Sequence, residues 1–495
     1  LQRKLLFCCL TTSVLTLGTL VFAQENKLKP GTGQTDFTKS EPGEALPGGQ
    51  ATSRKSNDRN AYSHSSGNLP INREFDFKIG NGIFKKLWVS APSSTQSSDG
   101  LGPLYNARAC QRCHLKDGRG HPPSTDDPKD NAVSMLIRLS VPPNTDKEKK
   151  DLAAYLIKNV PDPVYGGQLQ DFAIKGHLAE GDIHIDYSDV PVKLNGGTII
   201  TLRAPKYSIK NPGYGALSPN IQMSPRIANP MIGLGLLEAI KAKDILANAD
   251  PDDKNSDGIS GKPNWVMSIK HKKVMLGRFG WKAGQPSIAQ QTAGAFAGDI
   301  GISTQLISDA HGDCTTSQKD CRSAPNGNSP KYQNVEAGKT MFDLVTFYSQ
   351  NLAVPHRRGA DDPQVLKGKE LFYKSGCIAC HQPKFVTGNL PGQTHLSNQL
   401  IWPYTDMLLH DMGSGLADNR PEGAANGQEW RTAPLWGIGL TKTVNGHTFF
   451  LHDGRARNLL EAILWHGGEA EAAKQKVIEM MDSDRRNLIK FIESL

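Results

Sequence analysis

Residues 104–123 read LYNARACQRCHLKDGRGHPP, in which Cys110 and Cys113 are separated by two residues and followed at once by His114. C-x-x-C-H is the pattern of c-type haem attachment: the two thiols form thioethers with the porphyrin and the adjacent imidazole meets the iron. The pattern recurs in FYKSGCIACHQPKF (372–385) as Cys377, Cys380 and His381. Two other uses of such cysteines fit less well. A redox dithiol sits at a helix start after a strand, whereas Cys110 follows a Gly-rich, polar stretch. A zinc site needs two knuckles that converge, but the copies lie more than 250 residues apart and each carries a histidine that such a site does not need. The reading is therefore two covalently bound haem c groups, with His114 on the first iron and His381 on the second.

The chain has 495 residues, too many for one core, and 49 Gly with 31 Pro point to long loops between helices. LQRKLLFCCLTTSVLTLGTLVFAQENK begins with Arg3 and Lys4, continues with an apolar run and reaches Val21-Phe22-Ala23, which predicts a signal peptide over residues 1–23 and a periplasmic or otherwise exported protein. No later stretch approaches the ~18 apolar residues of a membrane span. Cys314 and Cys321 bracket CTTSQKDC; in an oxidising compartment they predict a short-loop disulfide contributing about 2 kcal/mol. The formal charge of +8 carries no clustered Lys/Arg run, so nothing here argues for nucleic acid.

Residues 24–74 are polar and rich in Gly, Pro, Ser and Thr, an extended arm with little structure of its own. Residues 75–335 form a first haem region enlarged by insertions, with one clear helical pattern at 233–249. Residues 336–495 form a second haem region with helical patterns in EAGKTMFDLVTFYSQNLA, PQVLKGKELFYKSG, NLLEAILWHGG and SDRRNLIKFIESL. The fold expected is mainly α with long irregular loops, built as two cytochrome c-like haem domains. DPDDKNSDGISG (250–261) contains Asp253, Asn255 and Asp257 before Gly258, the first half of a calcium loop, although Asn264 replaces the usual Glu at its twelfth position.

Several stretches together resemble the di-haem oxidoreductase family, relatives of bacterial di-haem cytochrome c peroxidases and of the di-haem enzyme that matures methylamine dehydrogenase. They are GEALPGG, LGPLYNARACQRCH, YGGQLQDFAIKGHLAEG, SPRIANPMIGLGLLEAI, DGISGKPN, LGRFGWKA, LLHDMGSGLAD, EWRTAPLWGIGL and FLHDGRARNLLEAILWHGGEA, and they span residues 42–495. The resemblance implies a peroxidase-like oxidoreductase in which the second haem takes electrons from a small donor protein, such as a cytochrome c or cupredoxin, and the first meets hydrogen peroxide. Candidates for the sixth ligand of the second iron are Met407, His410, Met412, His452 and His466; the resemblance favours His466, placed where the peroxidases carry a distal Met. It also implies Gln170 and Glu180 as the amide and the acid–base group at the first haem, with Gln168 an alternative amide, and Thr432 and Pro434 as carbonyl ligands of a calcium ion between the haems. His121 and His177 are candidates for closing the first iron, though His121 stands only seven residues from His114. Two alternatives remain at this level: an electron carrier with both irons six-coordinate, and a haem enzyme that oxidises a protein side chain.

Overall fold

On either side of Asn195-Gly196-Gly197 the sequence alternates β-branched and polar residues, as in DIHIDYSDVPVK and IITLRAPKYSIK. In the computed structural model, which describes residues 36–123 and 134–495, these stretches pair as a long antiparallel hairpin, Asp182–Lys193 with Ile199–Lys210. The turn needs left-handed backbone at Gly196 (φ 87°) and Gly197 (φ 84°), which glycine adopts without steric cost. The hairpin reaches across the molecule. Asn195 at its tip donates its backbone N–H to the Ile478 carbonyl (2.9 Å), and its arm places Leu194 and Leu202 in the same core as Phe372, Trp430 and Phe491.

The expectation of a mainly α chain with two cytochrome c-like haem units is not met. The described residues are 30% helical and 18% strand, with loops making up the rest. Among the described residues the strands form six separate two-stranded antiparallel sheets. Apolar alternation between turn signals produced these strands, and the helical runs alone did not show them. Even the second haem region holds two such pairs, Phe385–Val386 with Leu400–Ile401 and Leu409–Asp411 with Glu429–Arg431. The pattern at 233–249 also divides, into Leu234–Ala239 and Ala242–Leu246. Ile240 and Lys241 are extended between them, and the Ile240 carbonyl accepts from the Arg278 guanidinium at 2.7 Å instead of continuing a helix.

Helices do form where a cap and an amphipathic face coincide. Pro363–Lys374 starts at Asp362, whose carboxylate accepts from the Gln364 N–H, with Pro363 at the first turn. It packs on the C-terminal helix Asp482–Ser494 so closely that a side chain at Gly368 would strike the Asn487 backbone. Glu74–Lys85 packs in the same way on Lys339–Gln350, with Gly80 against Leu344.

The described part of the polar arm, from residue 36, has only single 3-10 turns of its own but is built into the body. Glu44 is fully buried. It pairs with Arg357 and with Lys369 (2.7 Å) and accepts from the Tyr404 hydroxyl (3.0 Å). Burial would raise its carboxyl, but the two cations hold it below the ordinary range. The predicted signal peptide, residues 1–23, and the arm before residue 36 lie outside the described residues. Among the described residues no helix is long and apolar enough to cross a membrane.

Candidate haem sites

Cys110–Cys113 forms one helical turn, and His114 closes it with its N–H on the Cys110 carbonyl (3.0 Å). The His114 ring turns its Nδ1 to the Asn229 carbonyl, 2.8 Å away, which leaves Nε2 for another partner. Asn229 precedes Pro230, a position biased toward extended backbone, so its carbonyl is not drawn into a helix. Burial keeps the imidazole neutral, and it pushes the Cys110 and Cys113 thiols upward, Cys110 to about 12. A redox dithiol shows the opposite shift.

His381 repeats the arrangement. Its Nδ1 donates to the Tyr404 carbonyl at 2.9 Å. Tyr404 holds a left-handed φ of 51°, an uncommon conformation for a non-glycine residue, and its hydroxyl is anchored on Glu44. Burial is the main cause that lowers His381 to about 4, and the neighbouring His466 ring adds to it. Cys110, Cys113, Cys377 and Cys380 are all free thiols. Each site thus offers two thiols and a neutral imidazole with one nitrogen anchored, and these residues fit a covalently held haem.

Two adjoining cavities meet at His114. The larger, about 1300 Å³, and the smaller, about 160 Å³, share Cys113, His114, Asn229, Phe279 and Asp299 in their walls. Among the described residues His114 is the one histidine lining either, so neither His121 nor His177 faces it there. His121 instead donates Nδ1 to the Pro122 carbonyl (2.8 Å) and packs on His447.

Glu180 and Gln170 are brought together, but not at the cavity wall. Glu180 is buried; its carboxylate accepts from the Gln170 N–H (2.6 Å) and from the Gln318 amide (2.5 Å). Burial pushes it up to about 8. The Gln170 amide donates to the Gly298 carbonyl (2.8 Å) and that of Gln168 to Asp299 (3.0 Å). Neither Glu180 nor Gln170 lines either cavity, whereas the next residue, Asp171, does. Asp171 accepts from Asn106 (2.8 Å) and is raised by burial to about 7. Sequence reasoning passed over Asp171, although its signal was present as the residue after Gln170.

The five candidates at the second site separate by their partners. His410 is held between Asp406 (2.8 Å) and Glu469 (2.6 Å), so both its nitrogens are engaged. His452 stacks on Trp430 with ring centroids 3.7 Å apart. Met407 and Met412 pack in separate apolar cores. His466 ends the helix Leu459–Leu464 and donates Nδ1 to the Ala462 carbonyl (2.7 Å), the same anchored geometry as His114 and His381.

The residues read for calcium already carry hydrogen bonds within the chain. The Thr432 carbonyl already accepts from Thr405 Oγ1 (2.5 Å) and from the Arg431 guanidinium (3.0 Å), a resident cation. In the 250–261 loop, Asp253 and Asn255 accept from the Asp257 N–H (3.0 and 2.9 Å), and Asp257 from the Ile259 N–H (2.9 Å). Among the described residues no group of three or more His, Cys, Asp or Glu is arranged to hold a metal. Cys314 and Cys321 are disulfide-bonded, with Cα atoms 6.1 Å apart.

The family described as "Di-haem oxidoreductase, putative peroxidase" matches residues 43–495. No curated protein matches the chain significantly. Among solved structures, hydrazine synthase of Kuenenia stuttgartiensis, pressurised with xenon, is similar at 12% identity and a TM-score of 0.26, covering 72% of this chain and 90% of that one.

Proposed function

The chain belongs to the di-haem oxidoreductase family, and on that premise we propose that it is an exported, peroxidase-like enzyme carrying two covalently bound haem c groups. When bound, the haems would supply electron storage and transfer for the reduction of hydrogen peroxide, with a small protein as electron donor. The observation that carries the reading is the difference between the two sites. His381 has a second anchored imidazole, His466, as its neighbour, whereas His114 opens on a large cavity lined by no other histidine.

In this reading Cys110, Cys113, Cys377 and Cys380 would hold the two haems, His114 and His381 would each offer Nε2 to one of them, and His466 would offer a second imidazole to the haem at His381. Asp171, in the cavity wall and raised to about 7, is suited to take and return a proton near neutral pH. Glu180 acts one step back, fixing the Gln170 backbone and hence the position of Asp171.

The test is the optical spectrum of the exported protein, with and without peroxide. A high-spin component that peroxide consumes supports an open first site. Two low-spin haems that are inert to peroxide in every redox state would favour the electron carrier.

A further inference from the structure

Four cations crowd one carboxylate in the wall of the larger cavity. Arg226 and Arg420 contact Glu422 at 2.8 and 3.2 Å. Arg138 and Lys158 lie near enough to act on the same carboxylate, which the four together hold well below the ordinary range against the penalty of burial. The strand pairing explains part of the convergence. Met135–Ser140 pairs with Gln222–Ile227, so Arg138 and Arg226 project from adjacent strands onto the cavity side.

The other carboxylates nearby, Asp313, Asp299 and Asp418, each also serve partners outside the cluster, Asp418 the Lys282 ammonium at 2.7 Å. Asp313 is engaged by the N–H groups of Gly167 (2.7 Å) and Gln168 (2.9 Å), and Asp299 lies 3.9 Å from Arg138. Lys158 forms no ion pair among the described residues, and its ammonium is driven down to about 8, first by burial. Arg420 is 2% exposed, yet its Nε has no acceptor. Buried guanidinium donors without acceptors are costly, and a planar oxyanion is their natural partner.

We propose that Arg138, Lys158, Arg226 and Arg420 form a carboxylate-binding site in the wall of the cavity at His114, serving a small carboxylate-bearing substrate. The proposal rests on the reading that a haem sits at His114. That haem's own propionates are the other source of carboxylate. Arg119, Arg278 and Arg431 line the smaller cavity as a second set of cations, Arg278 and Arg431 already holding backbone carbonyls, and the titration distinguishes the two sources of carboxylate.

The experiment uses the exported protein, its mass first confirming two attached haems; a protein without them refutes the haem reading and not this site. Malonate is titrated while the Soret band is followed, in wild type, Lys158→Gln and Lys158→Arg. A saturable change in wild type, weakened about 10-fold or more in Lys158→Gln and restored in Lys158→Arg, supports a substrate carboxylate. If malonate does nothing but Lys158→Gln shifts the first haem's potential or lowers its retention, the site is real and the propionates fill it. The proposal is overturned by a silent titration with unchanged haem content and potential in Lys158→Gln, by equal responses in wild type and Lys158→Gln, or by a response to inorganic phosphate alone.

Discussion

The Tyr404 hydroxyl donates to the Glu44 carboxylate at 3.0 Å, while the carbonyl of the same tyrosine accepts from His381 Nδ1 at 2.9 Å. One residue therefore joins the buried carboxylate of the N-terminal segment to the imidazole of the second haem site. Removing the charge at Glu44 leaves Arg357 buried without its counter-ion and Lys369 with only its longer contact to Glu41 (3.3 Å).

Glu44→Gln is expected to lower stability by on the order of 3 kcal/mol at neutral pH, measured by denaturant unfolding. The folded carboxyl of Glu44 lies below its unfolded value of 4.5, so its contribution is present above that pH and fades as pH falls below it. The gap between wild type and variant should narrow below about pH 4.5. A gap that is constant with pH would place the effect in packing.

Cys110→Ala and Cys377→Ala are each expected to cost one covalent haem, read by intact mass and by the pyridine haemochrome spectrum. Two haems retained in either variant would contradict the attachment sites.

His466→Met is expected to raise the potential of the second haem by on the order of 100 mV, since axial ligands dominate that quantity. Potentiometric titration followed optically checks it. An unmoved potential would return Met412 to consideration.

Asp171→Asn should slow peroxide reduction ~100-fold with both haem spectra intact, the usual size of a lost acid–base group, while Glu180→Gln should slow it far less. Stopped-flow mixing with peroxide decides the order of the two. The reverse order would make Glu180 the proton carrier despite its place behind the wall.

Chelation is expected to change nothing. The Thr432 carbonyl already serves Arg431 and Thr405, so dialysis against EGTA should leave the haem spectra and potentials as they were. A spectral change reversed by added calcium would show that the guanidinium is displaced.

The residues proposed to attach the haems stand out in the sequence because covalent chemistry demands fixed spacing along the chain. His466 stood out only through a family resemblance, and its anchored Nδ1 is a fact of helix geometry. The residues that orient the imidazoles, Asn229 and Tyr404, lie 115 and 23 positions from their histidines and act through backbone carbonyls, so no side-chain pattern announces them. The strands were missed for a related reason. Helical runs around the second motif suggested a small cytochrome fold, whereas period-two alternation over 182–210 had to be weighed as strongly as the period of the helices. The cation cluster draws on residues 138, 158, 226 and 420, too far apart to form a visible charge run.

The tip of the long hairpin is tied to the far end of the chain: Asn195 bonds to the backbone of Ile478 and Glu479 and receives the Arg485 guanidinium on its carbonyl. During synthesis those partners emerge nearly 300 residues after the hairpin. The ribbon cannot reach its final seat until residues 478–485 have been made, so folding waits on contacts far apart in sequence. A chain stopped before residue 478 would leave that ribbon unmoored, and damage there would be felt along the strands that reach back to the cavity at His114.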